Sequence, residues 1–215
     1  MKHIALLAAF ILLSFTFNAS AQTIALHPTV LKDMPSGEYK IDPTHVSLIW
    51  KVNHLGLSHY TARFTKIDGT LVFDPIDPTH SHVTVTVNPT SVKTDYPDPQ
   101  KTDFDKQIAY SEQWLNAGKF PEIKFVSKKI EKISDTKGKI HGELTFMGVT
   151  KPLTLDTTYN GAYAKMPIIE KAAIGFSATT TLKRSDWGFN GSIPIIGDDV
   201  QLLIEVEFDK LPVSK

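Results

Sequence analysis

The stretch HVSLIWKVNHLGLSHYTARF, His45–Phe64, decides how the chain is read. Val46, Leu48, Trp50 and Val52 alternate with Ser47, Ile49, Lys51 and Asn53, a period of two that marks a strand with one strongly apolar face. Gly56 interrupts the run, and Tyr60, Ala62 and Phe64 then alternate with Thr61, Arg63 and Thr65. The pattern predicts two adjoining strands that turn at Leu55 to Ser58. His54 continues the apolar face of Val46 to Val52, so it points inward at the strand end if that register holds. His59 reads as a turn-end residue.

Working outward, the alternation persists. Ile67, Gly69, Leu71 and Phe73 share one face, as do the valines at 83, 85 and 87. Further strands are expected at Ile123–Ser127 and on through Ile130 and Ile133, at Lys139–Phe146, Leu153–Tyr159, Ala172–Leu182 and Val200–Asp209. In the last of these Val200, Leu202, Ile204, Val206 and Phe208 lie on one side, against Gln201, Glu205, Glu207 and Asp209 on the other. Thr102–Ala117 differs: Phe104, Ile108, Trp114 and Leu115 fall at helical spacings, which predicts one or two short helices covering an edge or an end of the sheet. Eight to ten strands joined by hairpin-like turns, with no repeated strand-then-helix unit, predict an all-β antiparallel barrel or sandwich.

The chain begins with Lys2, the apolar run IALLAAFILLSFTF and the small-residue pattern Ala19-Ser20-Ala21. This reads as a secretory signal peptide over residues 1–21, too short in its apolar part for a spanning helix and so leaving no permanent membrane anchor. Residues 22–37 read as an N-terminal arm and 38–215 as one domain. With Lys2 removed in the leader, 22 Lys and Arg face 23 Asp and Glu, and this balance gives no general attraction to nucleic acid or anionic lipid. There is no cysteine, so core packing must hold the fold without disulfides, which suits a periplasm.

The eight histidines suggest metal chemistry first. His54 and His59 lack the spacing of a helical ligand pair, and no glutamate stands with them as in HExxH. No serine occupies a G-x-S-x-G elbow, and the carboxylates fall on polar strand faces or in turns, so neither a hydrolase triad nor a glycosidase pair is indicated. In KRSDWGFNG, Arg184 and Asp186 form the densest polar group beside aromatics; a local ion pair and contact with a ligand's polar head are both open. Trp50, Phe64, Phe73, Phe125, Phe146, Phe176 and Phe208 all fall on alternating strands. An eight-stranded closed sheet is either filled by such residues or holds one slender ligand, and periodicity does not choose between them.

Four segments in register carry a resemblance: YKIDPTHVSLIWKVNHLGLSHYTARF at 39–64 with DGTLVFDP at 68–75, FPEIKFVSKKIE at 120–131, GKIHGELTFMGVTKPLTLD at 138–156, and GFSATTTLKRSDWGFN at 175–190. Together they resemble the YceI-like family of bacterial secreted or periplasmic proteins, described as polyisoprenoid-binding. Asn116 departs from the aspartate often found there, and the 22–37 arm lies outside the family pattern. The resemblance implies an extended lipocalin-like eight-stranded barrel with a helical insertion at 102–117 and an internal apolar channel. It also implies a polyisoprenoid or isoprenoid-quinone ligand, no required cofactor, no established enzymatic activity, and a homodimer in several members. On that reading Trp50, Val52, Phe64, Leu71, Phe73, Phe125, Leu144, Phe146, Phe176, Ile204 and Val206 line the channel, with His54, Arg184 and Asp186 nearer a polar head. The rival functions are a structural or protein-interaction barrel with a packed core, and a lipid-modifying hydrolase.

Overall fold

A computed structural model describes residues 28–167 and 170–212. The 1–21 leader and residues 22–27 of the arm lie outside the described residues. Ten strand segments and one short helix follow in chain order: β1 (Gly37–His54), β2 (Ser58–Phe64), β3 (Ile67–Phe73), β4 (His82–Val87), β5 (Val92–Lys93), α1 (Phe104–Tyr110), β6 (Ile123–Lys132), β7 (Lys137–Phe146), β8 (Val149–Tyr163), β9 (Ala173–Lys183) and β10 (Ile196–Lys210). The strand order is β10-β9-β8-β7-β6-β4-β3-β1-β2-β5, and β10 pairs back onto β1, closing the sheet.

Ten segments make eight wall positions, because β2 and β3 run one after the other along β1. β2 pairs with residues 48–54 of β1 and β3 with residues 37–40, both antiparallel. β4 and β5 follow one another in the same way along β3 and β2. The fold is therefore an eight-stranded antiparallel β-barrel, in which closure removes the exposed edges that an open sheet of this size would carry.

The join between β2 and β3 is a change of phase: the inward residues are Ala62 and Phe64 before it, Ile67, Leu71 and Phe73 after it. Thr65 and Lys66 absorb the shift. The buried Ser91 hydroxyl accepts from both their amides, at 3.2 and 3.0 Å, and donates to the Asn88 carbonyl at 2.7 Å. β1 answers with a bulge opposite: Ile41 pairs with Phe208, and the next paired residue is Val46, with Val206. The intervening residues satisfy themselves. Asp42 accepts from the Thr44 amide at 2.8 Å and pairs with His45 Nδ1 at 2.7 Å. Each bulge bends its strand and resets which residues face inward.

The barrel has two unlike ends. The β1–β2 turn, the β7–β8 turn, the β9–β10 loop and the β5–β6 connection lie at one, and the β3–β4, β6–β7 and β8–β9 turns lie at the other. The arm, whose role the sequence left open, folds back at this second end: the Thr29 amide donates to the Ala162 carbonyl at 2.7 Å, and Met34 is buried. Tyr39 beside it is fully buried and donates to the Pro35 carbonyl at 2.6 Å. Burial pushes the Tyr39 hydroxyl up to about 12, so it stays a neutral donor.

The helical insertion is a single two-turn helix and a following series of turns. β4 pairs with β6, but β5 pairs only with β2, so the wall beyond β5 is completed by α1 and not by a strand pairing. Asp105 fixes the helix there, accepting from the Thr94 amide at 2.8 Å, the Thr94 hydroxyl at 2.6 Å and Lys93 Nζ at 3.0 Å. Asp103 caps it through the Lys106 amide at 3.0 Å.

Candidate functional site

Inside the barrel lies a cavity of about 450 Å³, within the size range of ligand pockets. The interior is hollow, and the burial pattern shows why. Leu48, Trp50, Leu153, Phe176, Leu202 and Val206 all point inward, yet each is only half-buried, because one side of the residue faces empty space. In a filled core these positions would be closed off by partners from the opposite wall. A packed core would leave no such space.

Each strand contributes through its inward phase. β1 supplies Trp50, Val52 and, at the strand end, the exposed His54. Phe64 comes from β2, and Leu71 and Phe73 from β3. Phe125 on β6 and Leu144 and Phe146 on β7 form the facing wall, with Phe176 on β9 and Ile204 and Val206 on β10 closing the ring. The aromatic rings meet edge to face or tilted: Trp50 lies 6.0 Å from Tyr60, Tyr159 lies 6.0 Å from Phe176, and Phe176 lies 6.3 Å from Phe208. Burial raises the Tyr60 and Tyr159 hydroxyls above their ordinary value, so neither brings a charge to the lining.

Arg184 lines the cavity near the β9–β10 loop and is only 2% exposed. It makes no ion pair with Asp186. Its Nε donates to the Gly197 carbonyl at 2.8 Å, Nη1 to Phe189 at 3.1 Å and Nη2 to Ile196 at 2.9 Å, and the guanidinium lies 4.8 Å from the centre of the Phe189 ring. Burial lowers its pKa, with Asp198 acting in the opposite sense. The arginine thus staples the loop and turns little of its charge toward the cavity. Asp186 is exposed and lies outside the lining, a correction to its expected place beside a polar head. It sits in the Arg184–Trp187 turn, whose neighbour Ser185 is tied to Asp198 through its amide at 2.8 Å and its hydroxyl at 2.7 Å. The turn also buries Trp187, whose Nε1 donates to the Leu144 carbonyl at 3.1 Å.

Several wall residues come from outside the alternating strands. Leu31 reaches in from the arm, and Phe104, Ile108, Trp114 and Leu115 from the helical insertion. The helical spacing of the last four was legible, but not that they complete the wall. Leu31 gave no signal, lying in a stretch without period. At the β6–β7 end the lining runs out through Glu131, Lys132, Asp135, Lys137 and Lys139.

Among the described residues, no group of three or more His, Asp or Glu is placed to hold a metal ion. His45 pairs with Asp42, and His80 lies 3.5 Å from both Asp74 and Asp77, so these histidines serve turns. His54 is the one imidazole in the described lining. What remains is a mainly apolar cavity that can enclose a slender apolar chain.

The family model of the YceI-like domain matches residues 39–208. A UPF0312 protein of Pseudomonas putida is 37% identical over 158 residues, covering 73% of this chain and 78% of that protein. The crystal structure of the Campylobacter jejuni YceI protein superposes with a TM-score of 0.65 at 33% identity, over 74% of this chain and 90% of that one. A polyisoprenoid binding domain from Saccharophagus degradans, implicated in plant cell wall breakdown, shares the fold with a TM-score of 0.61 at 11% identity, over 82% of this chain and all of that one. With nearly the whole barrel matched, the chain belongs to the YceI-like family.

Proposed function

We propose that this protein is a non-catalytic carrier or store of an isoprenoid lipid, a polyisoprenoid or the tail of an isoprenoid quinone, held in the barrel and handled in the periplasm after removal of the 1–21 leader. The observation that carries the reading is the cavity itself, some 450 Å³ enclosed by apolar side chains from every wall of the barrel. The fold shared with the Saccharophagus degradans domain is in keeping with it. Each buried methylene contributes about 0.8 kcal/mol, so one five-carbon unit contributes roughly 4 kcal/mol before the costs of ordering the chain are subtracted. Affinity then rises with chain length, and a polar head finds partners only at the two rims, His54 at one and the Glu131–Lys139 hairpin at the other.

Trp50 and Trp114 line the cavity, which supplies the test. A quinone entering beside them quenches their fluorescence. Titration with quinones carrying one to several isoprene units should show affinity climbing steeply with each added unit until the cavity is full. Equal affinity for a quinone head without a tail would contradict the proposal.

A further inference from the structure

The β1–β2 end of the barrel carries a cluster of exposed apolar side chains that the cavity does not use. Leu55 and Leu57 in the β1–β2 turn are 54% and 84% exposed, and Ile195 in the β9–β10 loop is 57% exposed. The two loops are joined, the Leu55 amide donating to the Ile195 carbonyl at 2.9 Å. The flanking residues on the paired strands, His54 and Ile196, are opposite one another and both line the cavity. The exposed cluster is therefore continuous with the cavity's apolar wall.

The two loops that carry the cluster are themselves free of charge. Residues 52–60 and 188–197 contain no Asp, Glu, Lys or Arg. At the β6–β7 end the exposed apolar residues are single and flanked by charge: Ile133 follows Lys132 and precedes Asp135, and Ile76 lies between Asp74 and Asp77. Water suits that end. The Leu55 backbone adds a second sign, since its φ is 57°, in the left-handed region where asparagine or glycine is accommodated more cheaply than leucine. A bulky apolar residue stands at a position that local conformation disfavours and water disfavours as well.

We infer that the β1–β2 end docks on a lipid bilayer, with Leu55, Leu57 and Ile195 entering its interfacial layer, so that an apolar chain passes between membrane and cavity without crossing water. The inference rests on the lipid-carrier reading and adds to it the surface and orientation of exchange. A bilayer is favoured over a protein partner because the cluster sits on two loop tips that offer no groove or free strand edge, and because the residues flanking it, His54 and Ile196, line the cavity that an apolar chain must enter. The attachment is shallow and reversible, since three side chains bury far less apolar area than an amphipathic helix does.

The test is flotation of the full mature protein with vesicles of phosphatidylethanolamine and a minor fraction of phosphatidylglycerol, using wild type, Leu57→Asp, Ile195→Asp and the opposite-end control Ile76→Asp. The expected result is wild-type and Ile76→Asp protein on the vesicles, with roughly tenfold to hundredfold weaker partitioning of Leu57→Asp and Ile195→Asp. All four should quench equally with a short-tailed quinone in detergent-free solution, which separates docking from occupancy of the cavity. Wild-type protein that stays off the vesicles overturns the inference, as does equal flotation of all four proteins. A homodimer that both β1–β2 end substitutions dissolve, with no vesicle binding by wild type, overturns it too and assigns the cluster to a second copy of the chain.

Discussion

Ala178 gives the sharpest separation between a hollow barrel and a filled one. It lies near mid-height on β9, lines the cavity, and is paired with Ile204 on β10 and Thr157 on β8, both of which line it too. Ala178→Phe projects a benzene ring into the space. The added ring carries about as many carbons as one isoprene unit, so it displaces about one unit of bound chain, worth roughly 4 kcal/mol, or about a thousandfold in affinity. A chain that shifts along the cavity recovers part of this, which leaves at least about tenfold as the expected loss. The fold, in contrast, should not suffer, because the ring enters existing space and buries its own apolar surface there. Quinone titration by tryptophan quenching reads the affinity, and urea denaturation reads the stability. Unchanged affinity in a folded variant refutes the placement of the ligand. A stability loss of about 1–3 kcal/mol, the usual cost of overpacking, refutes the hollow interior.

The other predictions concern the scaffold. Arg184→Met should destabilise the protein by about 2–4 kcal/mol in urea denaturation, since it leaves three carbonyls without their donor, and Arg184→Lys should rescue little of this because one ammonium cannot span all three. Gly142→Ala should cost about 1–3 kcal/mol in the same assay, because a Cβ there would lie 2.4 Å from Phe125 Cζ and 2.6 Å from the Val126 carbonyl oxygen. Burial works to raise the Asp105 pKa, but hydrogen bonds from Thr94 and the nearby Lys93 outweigh it and hold the carboxyl below its ordinary value. The resulting stabilisation of α1 is present above the unfolded value of about 4 and is lost as pH falls through the lower folded value. Hydrogen exchange in α1 should therefore accelerate in acid relative to the barrel strands, whereas Asp105→Asn should exchange faster at neutral pH and lose that acid dependence.

The strands were legible where one face of the barrel is apolar and the other wet. In β1 and β10 the inward Leu48, Trp50, Ile204 and Val206 were readable from period two alone, whereas the break between Phe64 and Ile67 passed as a continued alternation until Ser91 was seen to span it. The Asp42–His45 bulge was not readable, since a polar turn sequence within a strand resembles a loop until the partner strand is placed against it. Whether the interior is full or empty was also closed to pattern, because an inward Phe176 alternates identically in either case. The difference lies in what faces it across the barrel. Proximity in sequence did not place Asp186 either: it and Arg184 occupy a tight helical turn in which Arg184 is buried and Asp186 exposed.

The most direct measurement is mass spectrometry of organic extracts from the protein purified without detergent from cells that make it, with the Ala178→Phe variant prepared in parallel. Wild-type protein should release a lipid with an isoprenoid chain in near one-to-one amount, and the variant markedly less or a shorter chain. Extracts that match a mock purification, or a chain equally abundant in both proteins, would contradict lipid carriage in this cavity.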